Sequence, residues 1–311
     1  MMKHLRTVDK IRRMRSAHIT AALLIAVIVA AVLVVTRERE VPQENREEVI
    51  ENEVAENIIG YAMEPGQSVS YTVSFRENIF GSCFDLTGLF GQSAIGFENF
   101  WGETVMRWEV WENLAGSLTA GTDGATVSTG YGLTATGHVL VDNRLRIRHM
   151  VTQSEIRIEG QEDEHGENME ITVDYENMKI VVRKDGAEDV QDIASVLLDV
   201  PTCLVILREN LGVGYQKNFA LRVLSGLPVG VTLTVEGSKT VDTPVGRFDC
   251  WTVSGEWKTE NVEIRVSLLV SKRMEVVVGG SVSFRSLTEY GVITLEQAWT
   301  LREASWLLVA G

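Results

Sequence analysis

One segment limits what this chain can be more than any other. Residues 17–36 (AHITAALLIAVIVAAVLVVT) hold no Asp, Glu, Lys, Arg, Pro or Gly. A run of about 20 apolar residues matches the thickness of a bilayer's hydrocarbon core when helical, and a helix satisfies its own backbone there. Six of the 29 basic residues (Lys3, Arg6, Lys10, Arg12, Arg13, Arg15) precede it, and only Arg37 and Arg39 follow closely. Basic residues stay on the cytoplasmic side. The segment therefore predicts a single-pass signal anchor in the cell membrane, with residues 1–16 a cytoplasmic basic tail and residues 37–311 extracytoplasmic. Two competing readings stay open: a cleaved signal peptide, disfavoured by the poor site at Val34-Val35-Thr36-Arg37, and a pilin-like signal cut near Arg15-Ser16.

Charge bears on partners. One of the 43 acidic residues precedes the run, which leaves a net charge of −19 on the rest of the chain. A domain that acidic repels nucleic acid and anionic headgroups, so no nucleic-acid partner is expected. Residues 37–60 are dense in charge, with Val49, Ile50, Val54 and Ile58 at helical spacing, and read as a stalk or a solvated linker.

Residues 61–311 form the extracytoplasmic domain, and from Gly66 the pattern has period two. Val69, Tyr71, Val73 and Phe75 alternate with polar residues, and Val262, Ile264, Val266, Leu268 and Val270 alternate more clearly still. Ile171–Tyr175 and Met178–Val182 make a hairpin about Glu176-Asn177. Further strands are expected at Thr104–Trp111, Leu145–Val151, Ile156–Ile158, Val231–Val235, Phe248–Val253, Met274–Val278, Val282–Leu287 and Ile293–Leu301. Successive strands with short turns argue for an antiparallel meander, and a sheet this long must curl or pack on something. Two short helices, Asp189–Leu198 and Thr202–Leu211, are expected around Pro201, with Ile193, Val196, Leu197, Leu204, Leu207 and Leu211 on one apolar stripe. They would plug the open side of the curved sheet or cap an edge. The Gly-rich aromatic stretch 80–101 reads as irregular, either a flap over an apolar cavity or a loop packed on the core.

Residues 199–250 carry a resemblance. Asp199-Val-Pro-Thr-Cys-Leu-Val-Ile-Leu-Arg208-Glu-Asn-Leu211-Gly-Val-Gly214 leads into Tyr215–Val223, then Val231–Gly237, then Thr243-Pro244-Val245-Gly246-Arg247-Phe248-Asp249-Cys250. This order resembles an uncharacterised group of cell-envelope proteins with the half-barrel fold of periplasmic lipoprotein carriers, over about residues 190–290. Pro244 and Gly246 suit a tight turn, and Phe248 points into the core, so the element names a fold rather than an activity. The resemblance implies a curved antiparallel half-barrel with helices in its concavity and an apolar cargo. This chain departs from the carriers in its tether, which confines any cargo to the neighbourhood of its own membrane.

Catalytic signatures are absent: the sequence holds no GxSxG, HExxH or P-loop pattern, and no nucleophile–base set can be named. The chain is read as non-catalytic, with no cofactor or metal. His138, His149 and His165 share no ligand spacing, and the acidic tip Gln161–Glu167 lacks the ligand order of a calcium loop. Cys83, Cys203 and Cys250 form no CxxC, and a pair among them or none is equally compatible with their spacing. The ligand-binding candidates are Leu197, Leu204, Leu207 and Leu211 of the stripe, with Trp108 and Trp251 as aromatic lining. Two functions follow as expectations: a membrane-anchored module binding a lipid or other apolar molecule, or a structural part of the envelope that packs with other envelope proteins, pilin-like or surface-layer-associated.

Overall fold

The computed structural model describes residues 63–305 except 81, 123–124, 144–145, 161–164, 185, 194–196, 200–210, 223–228, 274–275 and 289–290. Among the described residues fifteen strands make one sheet. The first eight are β1 (Ser68–Ile79), β2 (Ser82–Phe100), β3 (Glu103–Thr122), β4 (Ala125–Val141), β5 (Ile147–Ile158), β6 (His165–Asp174), β7 (Lys179–Lys184) and β8 (Ala187–Asp192). The others are β9 (Leu197–Asp199), β10 (Gln216–Arg222), β11 (Val229–Thr243), β12 (Gly246–Lys258), β13 (Val262–Ser271), β14 (Val277–Thr288) and β15 (Gly291–Ala304). Their spatial order is β8 through β1, then β15 back down to β9. Neighbours are antiparallel except β9, which lies parallel to β10.

Two meanders meet where the first strand pairs with the last, Val73 opposite Trp299. The strands form for the reason their sequences advertise. In β13, Ile264, Val266, Leu268 and Val270 are buried while Arg265 and Ser267 face water. In β1, Val69, Tyr71 and Val73 do the same. One face of an antiparallel pair packs and the other is wetted.

Connectivity forces this sheet to roll. A flat array of fifteen strands would hold its edges about 67 Å apart at ~4.8 Å per strand. Yet edge strand β8 ends at Asp192 and the opposite edge strand β9 begins at Leu197, and five peptide steps reach at most ~18 Å. Contacts agree. The Leu197 amide donates to the Tyr175 hydroxyl (3.3 Å) beside β7, and β11 touches β15 although three strands lie between them. The result is an open barrel whose inner face carries one continuous apolar core. Two inner-face glycines mark tight bending. A Cβ on Gly88 would lie 1.9 Å from the Asn113 carbonyl oxygen, and one on Gly116 2.0 Å from that of Asp85. Strands approach so closely there that no side chain fits.

The structure corrects several sequence expectations. Residues 82–100 are not irregular: they form the long strand β2, and residues 125–141 form another, β4. Among the described residues no helix stands over Asp189–Leu198: Asp189–Asp192 lie in β8, Leu197 and Leu198 in β9, and Ile193 in neither. β8 is an edge strand with almost no buried side (only Gln191 is half-buried), so it carries no period-two signal. The second helix, the plug role of both, and the cytoplasmic, membrane and stalk segments lie outside the described residues, apart from Leu211. No helix among the described residues is long and apolar enough to cross a membrane. The Thr243–Gly246 turn joins β11 to β12 as read, Thr243 Oγ1 donating to the Gly246 carbonyl (3.0 Å), and Phe248 is buried.

Candidate functional site

Burial along the inner face is uneven. Towards the end where the chain enters, Trp108, Met106, Val139, Val141, Ile147, Met150, Ile171, Val173 and Ile180 are sealed, none more than 1% exposed. Towards the other end burial is mixed: Ile79, Phe84, Ile264, Ile293 and Leu295 are still buried, whereas Phe75, Leu118, Tyr131, Leu133, Ile156, Trp257 and Phe284 are only half-buried. Register fixes their common direction. Phe75 pairs Leu86 and Gln297, Leu133 pairs Leu114 and Ile156, and Trp257 pairs Ile264. The inner face is thus sealed at one end and unevenly enclosed at the other, where apolar and aromatic side chains line the looser positions.

Polar groups interrupt this lining. Glu77 lies on the inner side of β1, between Phe84 and Leu295 in the register. Glu112 lies on the inner side of β3, between Phe90 and Ala135. Burial strips water from both carboxylates and pushes each up to about 7. The Glu112 Oε1 is buried without a hydrogen-bond partner, as are the indole nitrogens of Trp108 and Trp299. Burial, with the charges of Glu77 and Glu167, pushes the Tyr131 hydroxyl up to about 12, and Phe84 meets its ring edge-on at 5.2 Å. Tyr71 is satisfied, its hydroxyl donating to the Val277 carbonyl (3.0 Å), and burial drives it strongly upward.

The sequence candidates disperse over this frame. Trp108 is 1% exposed and belongs to the sealed part. Leu197 is fully buried on edge strand β9 rather than on a helix. Leu211 and Trp251 are half-buried against the core, with Lys272 Nζ 4.3 Å above the Trp251 ring. Leu204 and Leu207 lie outside the described residues. Missed by sequence reasoning were Glu77 and Glu112, whose period-two positions within β1 and β3 were the available signal. His138 and His149, distant in sequence, are brought together on the outer face with ring centroids 5.9 Å apart. Phe100 stacks on His149 at 5.3 Å. Burial lowers both histidines. No group of three or more metal-ligating side chains forms among the described residues. Cys83 and Cys250 are free thiols, and burial pushes Cys250 up to about 11. A groove of about 470 Å³ is also lined by Ser74, Arg76, Asp85, Ser281, Ser283 and Glu296, with Phe75, Val282 and Ala298 among the rest.

Together these features define a class: an open antiparallel β-barrel-like domain with an apolar inner face that holds two carboxyl groups. The chain belongs to the family described as "Protein of unknown function (DUF3108)", whose model matches residues 119–284. No curated protein matches the sequence. Among solved structures, a β-barrel-like protein of domain of unknown function DUF1849 from Brucella abortus is similar at 12% identity. It covers 76% of this chain and 96% of its own, with a TM-score of 0.43. The Pseudomonas aeruginosa MucA/MucB complex matches at 12% identity over 75% of this chain and 88% of that chain, with a TM-score of 0.12. Both superpositions are too loose to transfer anything to this protein.

Proposed function

We propose that this protein is a non-catalytic, membrane-anchored extracytoplasmic module that holds a lipid or other apolar molecule on the looser half of its inner face. The observation that carries the reading is the uneven burial of the inner face, sealed at Trp108 and Ile180 but half-buried at Leu133, Trp257 and Phe284, which stand beside the buried Ile264 and Leu295. Ligand sites are mostly apolar with a few placed polar groups. Glu77, Glu112 and Tyr131 are such groups, set to meet a polar end of an otherwise apolar molecule. The N-terminal apolar run confines the module to one membrane, so it would receive or hold its ligand there.

The test uses the full chain, released from membranes in mild detergent and stripped of lipid. A fluorescent fatty acid is then titrated in. Saturable uptake is expected, weakened at least tenfold in Phe284→Glu and Leu133→Glu variants that keep the wild-type circular dichroism. A wild-type protein that takes up none of the probe, and yields no lipid by mass spectrometry before stripping, refutes the reading.

A further inference from the structure

The β2–β3 hairpin ends in an unusual turn. Phe100 pairs Glu103, and the two residues between them, Trp101 and Gly102, both have positive φ, 51° and 84°. Such two-residue turns favour Asn, Asp or Gly at the first position, and a bulky residue there is an outlier. Trp101 occupies it while 66% exposed, its ring stacked on Phe100 at 4.7 Å. On the same arm Phe97 is 55% and Ile95 49% exposed, Ile95 being the extra residue of a bulge opposite Trp108 and Arg107.

The arm's position matters as much as its composition. β1 begins at Ser68 opposite Ser93, so Ile95–Phe100 run on past it. The chain enters the domain at the base of this arm. Met63 is fully buried, the Gly66 amide donates to the Ala94 carbonyl (2.8 Å), and the Ala94 amide donates to the Gln67 carbonyl (2.9 Å). Charge at the arm is balanced: Glu98 pairs with Arg107 (3.8 Å) and Glu103 with Arg148 (3.2 Å). Only 26 residues separate the apolar run from Met63.

We propose that this arm rests in the interfacial zone of the bilayer that holds the N-terminal run, with Trp101, Phe97 and Ile95 among the lipid carbonyls. Aromatic and aliphatic side chains on a charge-balanced surface settle in that zone, and an acidic domain approaches a zwitterionic surface more readily through its neutral part. The inference rests on the anchored reading and is independent of any ligand on the inner face.

The experiment reconstitutes the full chain in phosphatidylcholine vesicles, plain or brominated near the headgroup end of the acyl chains. The apolar run contains no Trp, so bromine reports on the domain. Wild-type emission is expected to fall in the brominated vesicles, with that loss abolished in Trp101→Asn. Asn suits the turn, so the variant keeps its fold, checked by its melting temperature. Equal quenching in both proteins overturns the proposal, as does unquenched wild-type protein that floats with the vesicles. Protein that does not float overturns the anchored reading and this inference with it.

Discussion

The indole of Trp111 lies where a side chain at residue 91 would stand: a Cβ built on Gly91 would come 2.4 Å from its Cε2 and Cζ2. The two are direct cross-strand partners on the outer face of β2 and β3. Trp299 treats Gly280 similarly on the inner face, with its Cζ2 3.0 Å from the equivalent point. An aromatic ring laid over a strand glycine restores the packing that the glycine lacks.

Gly91→Val therefore sets two side chains in one place and is expected to cost about 1–3 kcal/mol. Trp111→Ala removes the obstacle, so the double variant should recover part of that loss. A double-mutant cycle in urea measures the coupling, and strictly additive effects would refute the contact.

Gly116 is less forgiving, because its obstacle is backbone. With the Asp85 carbonyl oxygen 2.0 Å from the Cβ position, no rotamer change makes room. Gly116→Ala should destabilise by more than ~2 kcal/mol, a large loss for a single methyl, and should leave the urea m-value unchanged if the sheet still forms. A neutral outcome would show that the bend tolerates a side chain.

Glu112 should make stability depend on pH in an uncommon direction. Its carboxyl titrates near 7 when folded, raised from 4.5 by burial. Below about 4.5 both states are protonated and the group is neutral in effect. Between 4.5 and 7 the unfolded chain ionises first, so stability falls as pH rises, and above 7 the full penalty stands. Glu112→Gln should be more stable than wild type at pH 8, the gap closing toward pH 4.5, as chemical denaturation at the two pH values will show. Glu77 acts in the same sense, so the double variant should widen the gap.

Tyr175, in the turn from β6 to β7, ties that side of the sheet to the opposite edge strand β9 through the Leu197 amide. Tyr175→Phe should lower stability by ~1 kcal/mol and accelerate amide exchange at Leu197 and along β9. Unchanged exchange at Leu197 would mean that the edges are held by other contacts.

Much of the sheet was readable in the sequence, for identifiable reasons. β13 and the β6–β7 hairpin show plain alternation because one side of each strand is buried and the other wet. β2 was unreadable because glycines at 88, 91 and 96 imitate a loop, whereas 88 and 91 stand where neighbouring atoms crowd the strand. β8 imitated a helix because an exposed edge strand hides nothing on either side. Leu197 belonged to the core but not to a helical stripe. The inward carboxyls escaped notice because Glu77 and Glu112 look like ordinary surface acids until register places them on the inner face.

The pairing of β1 with β15 also sets the timetable by which this domain comes into being. Strands β1–β8 are made first and pair with near neighbours, but the long outer rim of β1 waits until residues 291–304 have been synthesised. Contacts between chain ends are slow to form, and an uncovered strand rim invites foreign pairing. A translation product halted before Gly291 would leave β1 and β14 bare at adjoining positions in the middle of the sheet, so self-association is the natural fate of the shortened chain.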